Sequence, residues 1–208
     1  MTLAAKDPEE RRRRILQAAI QVLRERGFSG TRVADIAAAA GTSPALVLYH
    51  FSSLGEVLVA ALGSVDEQYY DSLDALPEDA DPRDRVAMMA ALAAEGGPAF
   101  GDWQLWLEVW VRARHDVRID ELRRSLDKRW REELETVIDQ GLQRRVFVCD
   151  DAGATTIRLA ALMDGLAIQV VLGEPDMSPD RMVQLWLDGA AGELGTEASD
   201  LRARTPKL

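Results

Sequence analysis

The sequence predicts an all-α fold of nine helices, and three observations lead to this prediction. Apolar residues recur at helical spacing along most of the chain, as in Ile15, Ala19, Val22 and Leu23. No stretch alternates convincingly between apolar and polar residues, so no strand is expected. Helix start and stop signals, such as serine before proline and glycine after an apolar run, divide the chain into segments of helical length.

Helix one is predicted to begin at Asp7-Pro8, where a capping side chain precedes a proline in the first position. It continues to Arg26, and Gly27 ends it. Four consecutive arginines, residues 11–14, lie in its first turns, where the helix dipole disfavours cations unless an anion is near. We expect one or two of them to contact a phosphate, although a solvated charged face is an equally good interpretation.

The next two helices are short and joined by a tight turn. Thr31 is expected to cap helix two, which runs through alanines until Gly41 permits a left-handed turn. Ser43 caps helix three, and Val47 and Phe51 anchor one face of it. A short helix held at a fixed angle, with small and hydrogen-bonding residues outward, suits entry into the major groove of DNA.

Residues 31–51 resemble the helix-turn-helix of the tetracycline-repressor (TetR) family, and the ending Tyr49-His50-Phe51 is the most specific part. The resemblance is close over residues 10–62. The rest of the chain is similar in its helical layout, loosely to the subset that includes the choline-responsive repressor. Two features depart from the pattern. Leu48 stands where many members have an aromatic residue, and Leu54-Gly55 stands where a phosphate-binding lysine and an acid are common.

The resemblance implies a DNA-binding transcriptional regulator, expected to be a repressor that binds a palindromic operator as a homodimer and is released by a small molecule. We expect a DNA-binding domain at 1–53 and a ligand-binding and dimerisation domain at 54–208. Arg32 is the best candidate for a charged DNA contact, and the N-termini of helices two and four could also bind phosphates. The full set of predicted DNA contacts is Thr31, Arg32, Thr42, Ser43, Ala45, Tyr49 and His50.

The remaining helices follow from caps and breakers. The predicted segments are helix four at 53–73, helix five ending at 94 before a break at 95–98, helix six at 99–114, helix seven at 118–145, helix eight at 151–172 and helix nine from 178 to about 194. The last dozen residues lack periodicity and are expected to form a loose tail.

Helix six carries three tryptophans on one face, Trp103, Trp106 and Trp110. Together with Met88 and Trp130 they predict a chamber for an apolar or cationic small molecule. For any single tryptophan, simple packing in a core is the better interpretation, because aromatic stripes are usually buried.

Helix eight is apolar on more than one face and needs partners on both sides. Helix nine supplies one, and in TetR-like proteins the two helices pair with those of a second copy. The predicted interface residues are Leu162, Leu166, Val170 and Trp186. Burial of both helices within a monomer is the alternative.

Charge is unevenly distributed along the chain. The net charge is −10, but residues 1–50 hold eight basic and five acidic residues, a balance of +3, which leaves −13 for residues 51–208. A basic head on an acidic body is typical of a protein that contacts phosphate with one end only. The single cysteine, Cys149, fits a reducing cytoplasm.

No catalytic set, metal-ligand set or phosphate loop is recognisable, and no cofactor or membrane partner is expected. A helical-bundle enzyme is therefore improbable. A ligand-sensing helical protein with a degenerate DNA head is the main alternative to a regulator, because Leu54-Gly55 leaves one backbone contact in doubt.

Overall fold

The computed structural model describes residues 8–94 and 103–206, and every regular element within them is an α-helix. The predicted all-α class is therefore confirmed. The predicted cap at Asp7 and the predicted break at 95–98 lie outside the described residues. The helices are α1 (Pro8–Gly30), α2 (Val33–Ala39), α3 (Pro44–Phe51), α4 (Leu54–Leu73), α5 (Pro82–Ala94), α6 (Trp103–Ala113), α7 (Val117–Gln143), α8 (Ala152–Leu172), α9 (Pro179–Leu194) and α10 (Ala198–Arg204).

The first compact unit comprises the described part of residues 1–66 together with residues 104–122. Its core is formed by apolar side chains of α1, α2 and α3, and α6 belongs to it although sequence separates α6 from them. Two glycines end helices as predicted: Gly27 interrupts α1 with φ 66°, and Gly41 follows α2 with φ 63°. The largest fully buried residues of this unit are Ile15, Leu23 and Ile36.

The second compact unit comprises residues 67–94, 103 and 123–206 of the described chain. α8 packs against α9, and α5 packs against α9 and α10. The predicted caps of α8 and α9 are present, because Asp151 accepts from the Ala154 amide at 2.9 Å and Ser178 accepts from the Arg181 amide at 3.1 Å. This unit's largest fully buried residues are Tyr69, Leu73, Met89, Leu134, Ile138, Phe147, Leu159, Met163 and Trp186.

The predicted loose tail is wrong, because residues 198–204 form α10. Leu201 is fully buried. Arg204 pairs with Asp84 at 2.7 Å and with Asp200 at 2.8 Å, and Arg83 on α5 pairs with Asp200 at 2.9 Å. The two ion pairs to α5 join segments about 120 residues apart, which local periodicity cannot reveal.

The two compact units do not coincide with the expected division at residue 53. Residues 54–66 and α6 group with the helix-turn-helix rather than with the following helices. The expected domain boundary remains a sequence-based prediction. α6 was expected to belong to the second domain, whereas residues 104–113 of it group with the first unit.

Candidate nucleic-acid interface and effector site

α3 is held by its ends and presents one face outward. Ser43 accepts a hydrogen bond from the Leu46 amide at 3.2 Å, and Pro44 takes the first helical position, as predicted. Val47 and Phe51 are buried, whereas Tyr49 is 82% exposed. A large aromatic side chain left in solvent on a short, capped helix has no packing role in the protomer, so it is available to a partner.

The predicted DNA contacts differ in how accessible they are. Arg32, Ser43, Ala45 and Tyr49 are exposed, and Thr42 and His50 are half-buried. His50 Nε2 is enclosed, and the His50 ring lies edge-on to Tyr49 with 5.4 Å between ring centroids. Tyr49 is thus the better placed of the two for contact with DNA.

Thr31 is a correction to the prediction. Its side chain is 4% exposed, and its hydroxyl donates to the Gly27 carbonyl at 2.7 Å, so the side chain is not a DNA contact. Arg32 occupies the position that precedes α2, and its amide donates to Asp35 Oδ2 at 3.1 Å. Because Arg32 caps through its backbone, its side chain extends into solvent.

The arginines of α1 have partners inside the first unit. Arg14 donates to the carbonyl of Ala40 at the end of α2 at 2.9 Å, and Arg12 lies 5.2 Å from the centre of the Phe51 ring. Arg13 pairs with Glu10 at 2.7 Å. The contacts of Arg14 and Arg12 tie α1 to the helix-turn-helix, a role that the arginine run alone did not indicate. Phosphate contact by this run remains a prediction.

Two predicted effector residues of the second unit are buried and hydrogen-bonded. Trp103 is 6% exposed, and its indole N–H donates to the Ala93 carbonyl at 2.8 Å. Trp130 is 5% exposed, and its indole N–H donates to Tyr69 Oη at 3.0 Å. The third, Met88 on α5, is half-buried. The structure therefore pairs Trp130 with an aromatic partner that sequence analysis did not name.

Tyr70 is a second aromatic residue that sequence analysis missed. Its ring meets that of Tyr69 edge-to-face at 5.1 Å, and the Arg129 guanidinium lies 3.5 Å from the centre of the Tyr70 ring. The Tyr70 face is therefore one that holds a cation, and a ligand cation on the same face would have to take the place of Arg129. The sequence signal for this pair was the dipeptide Tyr69-Tyr70, two adjacent aromatic residues within the predicted helix four.

The other two tryptophans of the stripe belong to the first unit. Trp106 is 5% exposed and Trp110 is half-buried, and they lie on α6 one turn apart. A role for either residue in effector binding remains a prediction.

The outward face of α8 is largely apolar, and its exposed polar residues are Arg158, Asp164 and Gln169. α8 is long and apolar enough to suit a membrane span by length and composition, yet only 28% of its apolar window is buried in the protomer. Ile157 and Leu172 are exposed, and a side chain at Gly165 would meet only open space. An apolar helix that its own protomer covers so little needs another surface to cover it.

The predicted interface residues divide into two groups. Leu162, Leu166 and Val170 on α8 are half-buried and accessible. Trp186 is a correction: it is fully buried, and its indole N–H donates to the Leu159 carbonyl at 3.0 Å. Trp186 is therefore a core residue that fixes α9 on α8, because no surface of it remains for a second copy.

Comparison with protein families decides the identity of this fold. Residues 15–61 match the model for bacterial regulatory proteins of the TetR family, and residues 82–195 match that for the C-terminal part of BetI-type transcriptional repressors. The chain belongs to the TetR family. Its resemblance to the helix-turn-helix of that family is thereby confirmed, and the chain is a DNA-binding transcriptional regulator rather than an enzyme.

Relatives of this TetR-family chain carry regulator names. The regulator BetI of Rhizobium meliloti is 29% identical over 180 residues, which cover 86% of each chain. The regulator PksA of Bacillus subtilis is 27% identical over 85% of this chain and 86% of its own.

Solved structures of regulators are similar to most of this chain. A transcriptional regulator from Saccharomonospora viridis in complex with choline is 33% identical, with a TM-score of 0.81 over 89% of this chain and 98% of that one. A TetR regulator from Haloarcula marismortui is 26% identical, with a TM-score of 0.79 over 89% and 99%. The order of helices is therefore common to regulators from distant organisms.

The structure shows the surroundings of the two positions at which this TetR-family chain departs from the usual pattern. Leu54-Gly55 supplies no lysine at the start of α4, but Ser53 Oγ accepts from the Glu56 amide at 3.2 Å and keeps that start ordered. Leu48, in place of an aromatic residue, is 42% exposed beside Tyr49. Leu48 is exposed, and Leu54 and Gly55 are half-buried, so neither departure lies in the core.

Proposed function

We propose that this TetR-family chain is a cytoplasmic homodimeric repressor that inserts α3 of each protomer into the major groove of a palindromic operator. The exposed Tyr49 carries the proposal, since it is the most exposed large side chain of a helix that Val47 and Phe51 anchor to the core. Arg32 adds a cation at the start of α2. A dimer would place its two recognition helices about 34–36 Å apart, one turn of DNA, or a multiple of this.

The proposed dimer forms through the accessible face of α8. The observation that supports it is the apolar surface around Leu166 and Val170, which the protomer leaves partly uncovered. Gly165 and Gly192 have open space where a side chain would stand, so a second backbone could approach closely there. An obligate dimer interface of this type buries on the order of 2,000 Å² or more.

We propose a small organic cation as the effector, bound by the aromatic side chains of the second unit. Tyr70 holds a guanidinium against its face, and the Trp130 indole is oriented by Tyr69, so electron-rich rings are already fixed in place. The regulator from Saccharomonospora viridis was crystallised with choline, a quaternary ammonium. Such cations bind aromatic faces through the ring quadrupole.

The test uses the full chain, DNA selected by it from a random pool, and choline as the probe. We expect tight, salt-dependent binding to a palindrome by fluorescence anisotropy, with two protomers per site by sedimentation. Saturating choline should weaken this binding at least tenfold and quench tryptophan fluorescence. Failure to select any sequence would overturn the repressor proposal. Selection without a response to choline or to larger quaternary ammonium compounds would overturn only the effector class.

A further inference from the structure

Near the end of α1, one backbone amide donates its hydrogen bond to a side chain of α6 instead of to its own helix. Gly27 adopts φ 66° and ψ 174°, which breaks the helical run, so the amide that follows is turned out of α1. The Phe28 N–H then donates to Glu108 Oε2 at 2.5 Å. A hydrogen bond from a buried backbone amide to a carboxylate is charge-assisted and among the stronger kinds.

A second residue of α6 holds the same segment one turn later. Arg112 Nη2 donates to Ser29 Oγ at 2.8 Å, and its guanidinium lies 5.2 Å from the centre of the Phe28 ring. Phe28 itself is 3% exposed. Glu108 and Arg112 are four residues apart and therefore project from one face of α6. Two adjacent side chains thus fix two successive residues of the turn.

The fixed turn leads directly into the helix-turn-helix. Residues 27–31 connect α1 to α2, and the Thr31 hydroxyl closes the turn on the Gly27 carbonyl at 2.7 Å. α2 then begins at Val33 and is followed by α3. A shift of this turn would move the start of α2, because only Thr31 and Arg32 lie between them.

Gly27 is adapted to this contact in two ways. Its positive φ disfavours any side chain, and a Cβ built on it would collide with the Glu108 carboxylate. The contact between Glu108 and the Phe28 amide is not enclosed by protein on every side. An open groove of about 600 Å³ runs alongside Glu108 and Arg112, and Val111 on the same helix is 66% exposed. The groove leaves Glu108 and Arg112 open to solvent on one side.

We propose that Glu108 and Arg112 are positioning residues through which α6 sets the placement of the helix-turn-helix. The proposal rests on the proposed function, since it concerns how DNA affinity is controlled. α6 also carries Trp106 and Trp110 on its length, so any ligand that moves α6 acts on residues 27–31 through these two side chains. The effect requires only that the ligand favour one of two positions of α6 over the other.

The first test compares Glu108→Ala, Glu108→Gln and Arg112→Ala in the full chain, with Glu121→Ala and Arg114→Ala as matched controls. Both control residues are exposed. We expect Glu108→Ala to bind the selected palindrome about tenfold more weakly, with a small fall in melting temperature and unchanged dimer mass. Glu108→Gln, which keeps an acceptor, should recover to within about threefold of wild type. An affinity for DNA within twofold of wild type in Glu108→Ala would overturn the proposal.

The second test needs neither DNA nor a ligand. Hydrogen exchange of a peptide covering residues 27–33 should quicken at least tenfold at the Phe28 amide in Glu108→Ala and stay unchanged in Glu121→Ala. Unchanged exchange in Glu108→Ala would show that the carboxylate does not order the turn and would overturn the proposal. If wild type fails to bind any DNA, the proposed function fails, and this exchange measurement still decides whether α6 holds the turn.

Discussion

Tyr49 and Phe51 lie two residues apart on α3 and have opposite environments. Phe51 is 4% exposed and supports the Arg12 guanidinium on its ring, whereas Tyr49 is 82% exposed. At the scale of single residues, this contrast separates side chains that hold the helix-turn-helix together from those free to bind DNA.

We predict that Tyr49→Ala weakens binding to the selected operator at least tenfold without lowering the melting temperature by more than about 2 °C, because the ring is 82% exposed and its ring contact is with His50 beside it. Anisotropy titration and thermal unfolding measure the two effects. Phe51→Ala is the matched control and should cost about 3–5 kcal/mol of folding free energy. Loss of folding in Tyr49→Ala would show that the exposed placement is wrong.

Arg32 should act through charge rather than through base recognition, since its backbone is engaged in the start of α2 and its side chain is exposed. We expect Arg32→Ala to weaken binding to all DNA sequences alike and to lower the salt dependence by about one phosphate contact. The measurement is affinity against salt concentration for the operator and for a scrambled duplex. Arg181→Ala, an exposed arginine on α9, should leave both slopes unchanged; a selective loss on the operator alone would contradict this role for Arg32.

Local chemistry allowed the turn and the cap of α3 to be predicted. Ser43 and Gly41 act on their immediate neighbours, so their roles follow from order along the chain. Thr31 was misplaced by one residue, because either Thr31 or Arg32 can precede the first turn of α2 and only the Gly27 carbonyl decides which one turns inward. Partners distant in sequence, such as Glu108 for Phe28, were beyond pattern analysis because no local rule relates them.

At the scale of elements, α10 shows how a polar segment becomes a helix. Its seven residues carry one buried leucine, Leu201, and charged groups that pair with Arg83 and Asp84 on α5. The Arg83 side chain donates to Asp81 and lowers the pKa of that carboxyl to about 2. Isolated helices this short are unstable in water, so α10 depends on these tertiary contacts.

We expect Leu201→Ala to lower the free energy of unfolding by about 2–5 kcal/mol, since the side chain is fully buried. Urea denaturation followed by circular dichroism measures it. Ser199→Ala, at an exposed position of the same helix, should change stability by less than about 0.5 kcal/mol. Equal, small effects of both substitutions would mean that α10 is not docked in solution.

The uncovered face of α8 leads to a prediction about assembly. Leu166→Glu or Val170→Glu should convert the dimer to monomers or insoluble protein, because a charge would be buried against apolar surface. Sedimentation velocity at micromolar concentration measures the outcome. Gln143→Glu, exposed at the end of α7, introduces the same charge and should leave the dimer intact. A well-behaved wild-type monomer would contradict the dimer proposal.

The stability of the whole molecule depends on pH through the carboxyl group of Asp164. Asp164 on α8 is an exposed residue, yet neighbouring protein atoms partly desolvate its carboxyl group and raise its pKa to about 6; the nearby Asp127 carboxylate raises this pKa further, and Arg131 opposes the shift. A folded-state pKa above the unfolded value of about 4 means that folding favours the protonated form. The stabilising contribution is thus fully present below about pH 4 and is lost as the pH rises through 6.

Asp164→Asn should therefore be more stable than wild type at pH 8, and the difference should shrink as the pH falls towards 4. Urea denaturation at pH 4.5 and pH 8 compares the two proteins. Asp176→Asn, an exposed acid in the loop before α9, is the matched control and should show no such pH-dependent gain. A gain of equal size at both pH values would contradict the titration of Asp164.

The discontinuity of the first unit has a consequence for how such regulators can be recombined. The unit draws on the described part of residues 1–66 and on residues 104–122, and the described residues between them, 67–94 and 103, belong to the second unit. A crossover that exchanges only the leading segment between two relatives would separate Gly27 and Phe28 from their own Glu108 and Arg112. Hybrid regulators with a new operator preference should therefore keep their response to a signal only when both stretches are inherited from the same parent.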